Sequence, residues 1–283
     1  MGSFFAYFLF KESKGKGEFM TFATDGLVTR IHEVGASDKL INIITPDRGR
    51  IGVMVKGGRS PSSKLTPISQ LFTYGNFEIY EKNSMYWLKG GSVTNSFYGL
   101  SADISRVSLA TYLCDLANDL TDEDEECSEL LRLLLNSLFL ISKGEKSQDI
   151  IKAAFEMRVM ALSGYLPELF GCAYCHTDSA EFLYLDVMGG KLVCTECQAK
   201  RGQRVPRISR DFEDEAEASV LCGMSPSTLA ALRYIVSAPE KKLFSFDLKD
   251  TDDLHDLSRA CEAYIVNHLG RNFDSLDFYK VVK

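Results

Sequence analysis

The amino-acid sequence predicts an α+β protein in which a small N-terminal β-barrel is followed by a helical domain that carries a four-cysteine metal knot. Three observations predict this architecture. Five short segments rich in β-branched and aromatic residues follow one another before residue 95. The spacing of apolar residues then becomes helical after residue 99. Finally, two C-x2-C pairs interrupt the helical pattern between residues 171 and 197.

The first region, residues 20–100, is predicted to form the barrel. Alternation of apolar residues begins at residue 24 and places Leu27, Thr29 and Ile31 on one side of the first strand. Four more strands are predicted at residues 39–45, 50–57, 70–80 and 84–94. Five short strands favour an OB-type barrel, which closes with five strands and commonly binds oligonucleotides.

Six aromatic side chains near the end of this region are candidates for stacking on nucleic-acid bases. Strand aromatics of a small barrel more often belong to its core, so we expect at most two or three of them to be exposed. The six are Phe72, Tyr74, Phe77, Tyr80, Tyr86 and Trp87.

Charge is distributed unevenly along the 283 residues, whose formal net charge is −7. Residues 20–100 contain nine Lys/Arg and six Asp/Glu, whereas residues 101–170 contain six and thirteen. Residues 171–210 are slightly basic. The net charge argues against nucleic acid as a partner, but its distribution places cationic surface on the barrel and around the cysteines.

A cationic loop lies between the third and fourth predicted strands, where the sequence reads K-G-G-R-S-P-S-S-K. Its glycine, serine and proline predict a surface loop. Such a loop beside a barrel face suits a phosphate backbone, which needs charge without a fixed register. An ordinary solvated loop explains the composition equally well. The candidate DNA-binding residues are Arg48, Arg50, Lys56, Arg59 and Lys64.

Residues 101–170 and 198–283 are predicted to form the helical domain. The first helix has Asp103 as a cap or first-turn acid, and an acidic segment, T-D-E-D-E-E, separates it from an apolar second helix. A third helix is predicted over residues 148–162. Later helices are predicted at residues 211–220, 225–236 and 251–269, the second of them with a Ser-Pro start.

The predicted knot, residues 171–197, contains the pairs Cys172/Cys175 and Cys194/Cys197, separated by eighteen residues. Two thiolates three apart on a tight turn reach one ion, and two such turns complete a closed tetrahedral shell. The residues between the pairs predict a β-hairpin that bends at a Gly-Gly pair. Four cysteines leave no coordination position for water, so we predict a structural Zn2+ rather than a catalytic one.

Other interpretations of these cysteines are four unrelated buried thiols or two disulfides. Two matched pairs make coincidence a poor explanation, and no thioredoxin-like βαβ pattern surrounds them. His176 follows Cys175 directly, but four thiolates suffice, so we expect it to be a surface residue. The other four cysteines show no pairing pattern, which is typical of a reducing cytoplasm. They are Cys114, Cys127, Cys222 and Cys261.

Residues 1–19 do not resemble the rest of the fold. Their apolar run precedes the lysines, which reverses the order found in a secretory signal. We interpret the segment as an artificial leader or as the result of a start codon assigned too early, with Met20 as the natural start. No apolar run approaches the roughly 20 residues that cross a bilayer, so we expect a cytoplasmic protein without a membrane partner.

Six motifs follow one another along residues 22–283. They are G-x-S-D-K-L (35–40), T-P-x-x-G-R (45–50), V-K-G-G-R (55–59), F-E-M-R-V-M-A-L-S-G-Y-L-P-E-L (155–169), the two C-x2-C pairs, and H-L-G-R…S-L-D-F (268–278). In this order and spacing they resemble the bacterial RecO family of recombination-repair mediators. The resemblance implies an OB barrel, a helical domain and, in some members, a zinc-bearing insertion.

The resemblance also implies an activity. Such proteins bind single- and double-stranded DNA, anneal complementary strands and help load RecA onto strands covered by the single-stranded-DNA-binding protein SSB, with RecR as the usual partner. The acidic, hydrophobic C-terminal tail of SSB docks on the helical domain of relatives. Here Arg132 and Arg158, on apolar helices, are the candidates for a cationic rim around that tail. The alternative is that both are ordinary exposed arginines.

We therefore expect a non-enzymatic DNA-binding mediator of recombinational repair, associated with the nucleoid in the cytoplasm. A base deaminase would need an open zinc position and an H-x-E…P-C-x2-C signature. The sequence lacks both, since His32 is followed directly by Glu33 and Cys172 is preceded by glycine. The alternative function is a zinc-ribbon RNA-binding or scaffold protein, because OB barrels and zinc knots also serve RNA.

Overall fold

The computed structural model describes residues 20–178, 183–200 and 221–283. Its N-terminal part is a closed five-stranded barrel, which confirms the prediction. The strands are β1 (Thr21–Val34), β2 (Asp38–Thr45), β3 (Gly49–Val55), β4 (Tyr74–Lys82) and β5 (Met85–Asn95). β1 pairs antiparallel with both β2 and β4, while β3 and β5 run parallel. The closed order β1-β2-β3-β5-β4 is that of an OB-type barrel.

A β-bulge in β1 decides which of its side chains face the barrel interior. The register of β1 against β2 shifts between Val28 and Arg30. Leu27 packs in the core shared with the helices, whereas Val28 and Ile31 pack inside the barrel. The prediction that Leu27, Thr29 and Ile31 share one side is therefore wrong for Ile31, because a bulge interrupts the alternation of the strand.

Three helices follow the barrel and a short 3-10 helix (Tyr98–Ala102). They are α1 (Ile104–Asp119), α2 (Ser128–Lys143) and α3 (Gln148–Leu162). The Asp103 carboxylate accepts a hydrogen bond from the backbone N–H of Ser105, which confirms the predicted cap of α1. α3 has the predicted bounds.

A small four-stranded sheet then interrupts the helices. Its strands are β6 (Glu168–Cys172), β7 (Leu183–Asp186), β8 (Lys191–Cys194) and β9 (Leu221–Met224), in the order β6-β8-β7-β9. β7 and β8 form the predicted hairpin, whose turn contains Gly190 at a φ of +60°. β9 was not predicted, and it pairs antiparallel with β7. The short helix α4 (Thr195–Lys200) follows β8 directly.

Three more helices complete the domain. They are α5 (Pro226–Ser237), α6 (Thr251–Leu269) and α7 (Asp274–Val282), of which α7 was not predicted. The hydroxyl of Ser225 caps α5 by accepting a hydrogen bond from the Thr228 N–H at 3.1 Å. The predicted helix at residues 211–220 and the leader at residues 1–19 lie outside the described residues. Among the described helices, none combines the length and apolar character of a membrane span.

Polar contacts fix the barrel against α1. The Thr29 hydroxyl donates a buried hydrogen bond of 2.8 Å to the Asn118 side chain, and the Arg30 guanidinium pairs with Asp115. From β3, the Nε of Arg50 donates to the backbone oxygen of Thr121 at 3.2 Å. β1 and the start of β3 are therefore the part of the barrel that faces the helices.

A buried ionic cluster lies inside the helical domain. The Lys152 side chain is 2% exposed, and its ammonium lies 3.0 Å from Glu156 and 3.1 Å from Glu262. The Tyr112 hydroxyl donates to Glu156 at 2.7 Å, and Lys280 pairs with Glu262. Burial raises the pKa of Glu156 to about 7, although Lys152 opposes the change. This network joins α1, α3, α6 and α7.

Replacing Lys152 by methionine should lower the free energy of unfolding by about 3–5 kcal/mol, because it leaves the buried Glu156 carboxylate without its cation. Urea unfolding followed by circular dichroism measures the change. The double variant Lys152→Met/Glu156→Leu should recover part of the loss, since one uncompensated buried charge is then removed. Additive destabilisation by the two substitutions would contradict the coupling between the ions.

Candidate functional site

The four predicted metal ligands lie together beside the small sheet. The sulfur atoms of Cys172, Cys175, Cys194 and Cys197 are all within 4.8 Å of one another, and those of Cys175 and Cys194 are 3.6 Å apart. A tetrahedral shell with Zn–S bonds of about 2.3 Å requires sulfur atoms roughly 3.8 Å apart. A disulfide requires about 2.05 Å. The arrangement therefore suits one metal ion held by four thiolates, and His176 is exposed, as predicted.

The backbone explains why these cysteines converge. Cys172 ends β6, Cys194 ends the neighbouring strand β8, and Cys197 lies in the helix that follows. Gly171 has a φ of +103°, and a Cβ added there would lie 3.0 Å from a backbone oxygen of the turn that carries Cys175. Glycine is the residue that tolerates this conformation, so the first cysteine turn depends on it.

Backbone N–H groups donate hydrogen bonds to two of the sulfur atoms and favour the ligating form of Cys172. The N–H of Cys194 donates to the Cys172 sulfur at 3.3 Å, and the N–H of Cys197 donates to the Cys194 sulfur at 3.4 Å. Burial alone would raise the pKa of the Cys172 thiol, but the N–H groups of Cys175 and Cys194 lower it to about 6. The thiolate is the form that binds metal, so these contacts favour the ligating state.

The knot is tied to two helices of the surrounding domain. From α5, the Nε of Arg233 donates to the backbone oxygen of Leu169 at 2.7 Å, and its guanidinium pairs with Asp178. From α6, the Nε2 of His268 lies 2.9 Å from the backbone oxygen of Val187. The helices thus contact the knot both before the hairpin and at the turn of the hairpin.

The five candidate DNA-binding residues do not form one continuous patch. Arg48 and Arg50 lie at the start of β3, whereas Lys56, Arg59 and Lys64 follow its end. The strand rises about 3.3 Å per residue, which separates the two groups by roughly 20 Å. They must therefore be considered as two surfaces.

The first group is held against other parts of the protein. The Arg48 guanidinium lies over the Phe22 ring, 4.2 Å from its centroid. The backbone N–H of Asp124 donates to the Arg48 oxygen at 3.0 Å, and Arg50 donates to Thr121 as described above. Both arginines thus lie beside the acidic segment between α1 and α2, which offsets their charge.

The second group presents charge to solvent. Lys56 and Lys64 are exposed, and within the described ranges neither has an ion-pair partner. Arg59 is also exposed, but it lies 3.0 Å from Glu33 and donates to the backbone oxygen of Gly35 at 3.0 Å. The sequence carried no signal for the Glu33 contact, which joins the end of β1 to the loop after β3. We call Lys56, Arg59 and Lys64 the loop cations.

Arg132 and Arg158 are brought together beside the segment that follows α5. The Nε of Arg132 is 3.2 Å from Glu240, and Arg158 donates to the backbone oxygen of Ala238. Burial lowers the pKa of Arg158, and its Nε has no hydrogen-bond partner in the part of the chain that the structure describes. One of the two arginines is therefore ion-paired within the protein, and the other retains an unused donor.

Four of the six aromatic candidates face one of the two cores, as expected for strand aromatics. They are Phe72, Tyr74, Phe77 and Tyr86. Tyr80 and Trp87 belong to neither core and pair with each other across β4 and β5. Both are half-buried and none of the six is fully exposed, which agrees with the expectation of at most two or three exposed aromatics.

Comparisons with known proteins match both parts of the chain. The family model described as "Recombination protein O N terminal" matches residues 20–97, and "Recombination protein O C terminal" matches residues 101–210. The DNA repair protein RecO of Acetivibrio thermocellus is 29% identical over 259 residues, 92% of this chain and 96% of that protein. The one from Alkaliphilus metalliredigens is 29% identical over 265 residues, 93% and 100% of the two chains. The DNA repair protein RecO of Bacillus subtilis is 29% identical over 182 residues, which are 64% of this chain and 71% of that protein.

Replacing Cys194 by serine should abolish stoichiometric metal binding and lower the melting temperature, because three thiolates leave the tetrahedral shell open. Metal content is measured on the purified protein by plasma mass spectrometry, and unfolding by calorimetry. His176→Ala is the matched control and should keep the metal. Full metal content with an unchanged melting curve in Cys194→Ser would rule out this cysteine as a ligand.

Proposed function

The chain belongs to the RecO family of DNA repair proteins, and from this premise we propose that it is a DNA-binding recombination mediator that acts without catalysis. It neutralises phosphate, holds strands loosely and lets base pairing select the partner strand. In this proposal it anneals complementary single strands, binds duplex DNA as well, and helps load RecA onto SSB-coated strands together with RecR. Its place in the cell is the nucleoid.

The observation that carries the proposal is the position of the loop cations. Lys56, Arg59 and Lys64 lie at the exposed end of β3, on the barrel of a molecule with a net charge of −7. An acidic protein repels DNA at long range unless it concentrates its cations on one surface. Arg48 and Arg50, which the sequence also assigned to DNA binding, have an auxiliary role in this proposal because the acidic segment lies beside them.

We propose that the cysteine cluster holds one structural Zn2+. Four thiolates and one Zn2+ form a closed shell with a formal charge of −2, which leaves no position for water or substrate. The ammonium of Lys191, over the Tyr174 ring at 5.4 Å from its centroid, is one nearby cation that offsets this charge. The zinc then stabilises the sheet and the helices it contacts, and the barrel contacts the DNA.

Replacing the three loop cations by glutamine should weaken binding of a fluorescent oligothymidylate and reduce its salt dependence. Each phosphate contact contributes about 0.7 to the slope of log K against log salt for single strands, so the slope should fall by roughly 2. Fluorescence anisotropy at several salt concentrations measures both effects. The annealing of complementary strands in the presence of SSB should slow in parallel.

The matched control is the triple glutamine variant of Lys241, Lys242 and Lys249, three exposed lysines of the helical domain. It removes the same charge and should leave the slope unchanged. Equal losses in both triple variants would contradict a local DNA site. Preference for an RNA of the same length over oligothymidylate would favour the RNA-binding alternative.

The proposed dock for the acidic tail of SSB is the surface around Arg132 and Arg158. Glu240 controls the access of the tail to this surface, because it lies 3.2 Å from Arg132 and competes with the carboxylates of the tail. Arg158, whose guanidinium donates to the Ala238 oxygen, is the second cation of this surface. An acidic peptide that exchanges with Glu240 would keep Arg132 paired.

Replacing Glu240 by glutamine should therefore tighten binding of the SSB tail peptide by roughly two- to fivefold, the range that exposed ion pairs provide. Isothermal titration calorimetry measures the affinity. Glu145→Gln, at an exposed position of the α2–α3 loop, is the control for net charge. Equal tightening in both variants would show that only net charge matters, and weaker binding in Glu240→Gln would exclude this surface.

A further inference from the structure

An aromatic pair lies on the outer face of the barrel, where the proposed function assigns it no role. Strand register places Leu40, Met54, Trp87, Tyr80 and Thr21 in one row across β2, β3, β5, β4 and β1. The residues next to this row along the strands, such as Val53 and Ile79, fill the barrel core. Because side chains alternate along a strand, the row itself faces outward.

The geometry of the pair is that of a partly exposed aromatic platform. The rings of Tyr80 and Trp87 have centroids 6.4 Å apart and planes within 18° of parallel. Both side chains are half-buried, with Met54 almost fully covered next to Trp87 in the row. The platform is therefore anchored on one side and open to solvent on the other.

Packing alone does not require a tryptophan at this position. The Nε1 of Trp87 is buried and has no hydrogen-bond partner among the described residues. An unsatisfied buried donor is unfavourable, and phenylalanine would supply an aromatic ring without one. What tryptophan adds is a larger π surface, which benefits a ligand that stacks.

Positive charge lies beside the platform. Lys56, one residue beyond the end of β3, is exposed two residues after Met54, whereas Arg50, four residues before Met54, donates to the helical domain. Lys89, two residues after Trp87, is exposed on β5. One acid, Glu78, lies on the same side of β4 as Tyr80. Rings flanked by cations are the combination that binds single-stranded nucleic acid.

We propose that Tyr80 and Trp87 form a base-stacking platform for unpaired DNA bases, with Lys56 and Lys89 holding the adjacent phosphates. This inference rests on the proposed DNA-binding function and adds a second, uncharged component to it. In a duplex the bases already stack on one another, so the platform is available only to single strands. It supplies a physical reason for this chain to hold separated strands more tightly than its cations alone would allow.

The test uses the fact that Trp87 is the only tryptophan in the chain. Titration with oligothymidylate should quench its fluorescence along the same binding curve that anisotropy of a labelled oligonucleotide gives. Tyr80→Leu should weaken single-strand affinity by roughly tenfold, the effect of losing one stacked base, and leave duplex affinity and the salt slope unchanged. Tyr80→Phe, which keeps the ring, should retain wild-type affinity.

The control for loss of an exposed aromatic is Tyr98→Leu, on the 3-10 helix after the barrel, which should bind like wild type. Binding by anisotropy without quenching, and with unchanged affinity in Tyr80→Leu, would overturn the platform while the charge-based function stands. Absence of single-strand binding in the wild type would overturn both. Stronger quenching by oligouridylate than by oligothymidylate would overturn DNA as the ligand of the platform.

Discussion

The close approach between the β2–β3 turn and the segment before α2 is the constraint on which the functional surface depends. Gly49 has a φ of +59°, and a Cβ added to it would lie 1.9 Å from the backbone oxygen of Asp122. That oxygen accepts the N–H of Arg50 at 3.1 Å, and the N–H of Cys127 donates to the oxygen of Pro46 at 2.9 Å. The backbones interlock here, so the barrel has one orientation relative to the helices.

This orientation decides which cations of the barrel are available. One end of β3 is held by α1 and the acidic segment, and its arginines serve the contact between the two parts of the molecule. The other end, with the loop cations, and the outer face with the aromatic pair are left facing solvent. Charge and stacking surface thus share one side of the barrel because the opposite side is occupied by the helical domain.

Local patterns were sufficient to predict the barrel, the third helix and the cysteine cluster. α3 is a mostly apolar segment that is buried along most of its length, and the pairs at Cys172 and Cys194 require only that two turns meet, which a hairpin achieves. The OB-type closure followed from five short strands in sequence. Each of these features is encoded within a few tens of residues.

What could not be predicted depends on contacts between distant segments. At the bulge, the Thr29 hydroxyl donates a hydrogen bond to the Asn118 side chain, 89 residues away. The sequence of the first strand does not indicate that partner. β9 is a strand because its backbone pairs with the free edge of β7. The engagement of Arg50 by the Thr121 oxygen likewise depends on how the helices cover one end of β3, so a count of basic residues overestimates the continuous cationic surface.

The order of the small sheet has a consequence for how the protein is made. All four cysteines precede residue 198, whereas β9 at the edge of the sheet and His268 on α6 come later in the chain. With the Zn2+ that we propose, the cluster would be complete during translation before these supports are synthesised. The ion would then hold β6, β7 and β8 in register until the C-terminal helices emerge from the ribosome and pack against them.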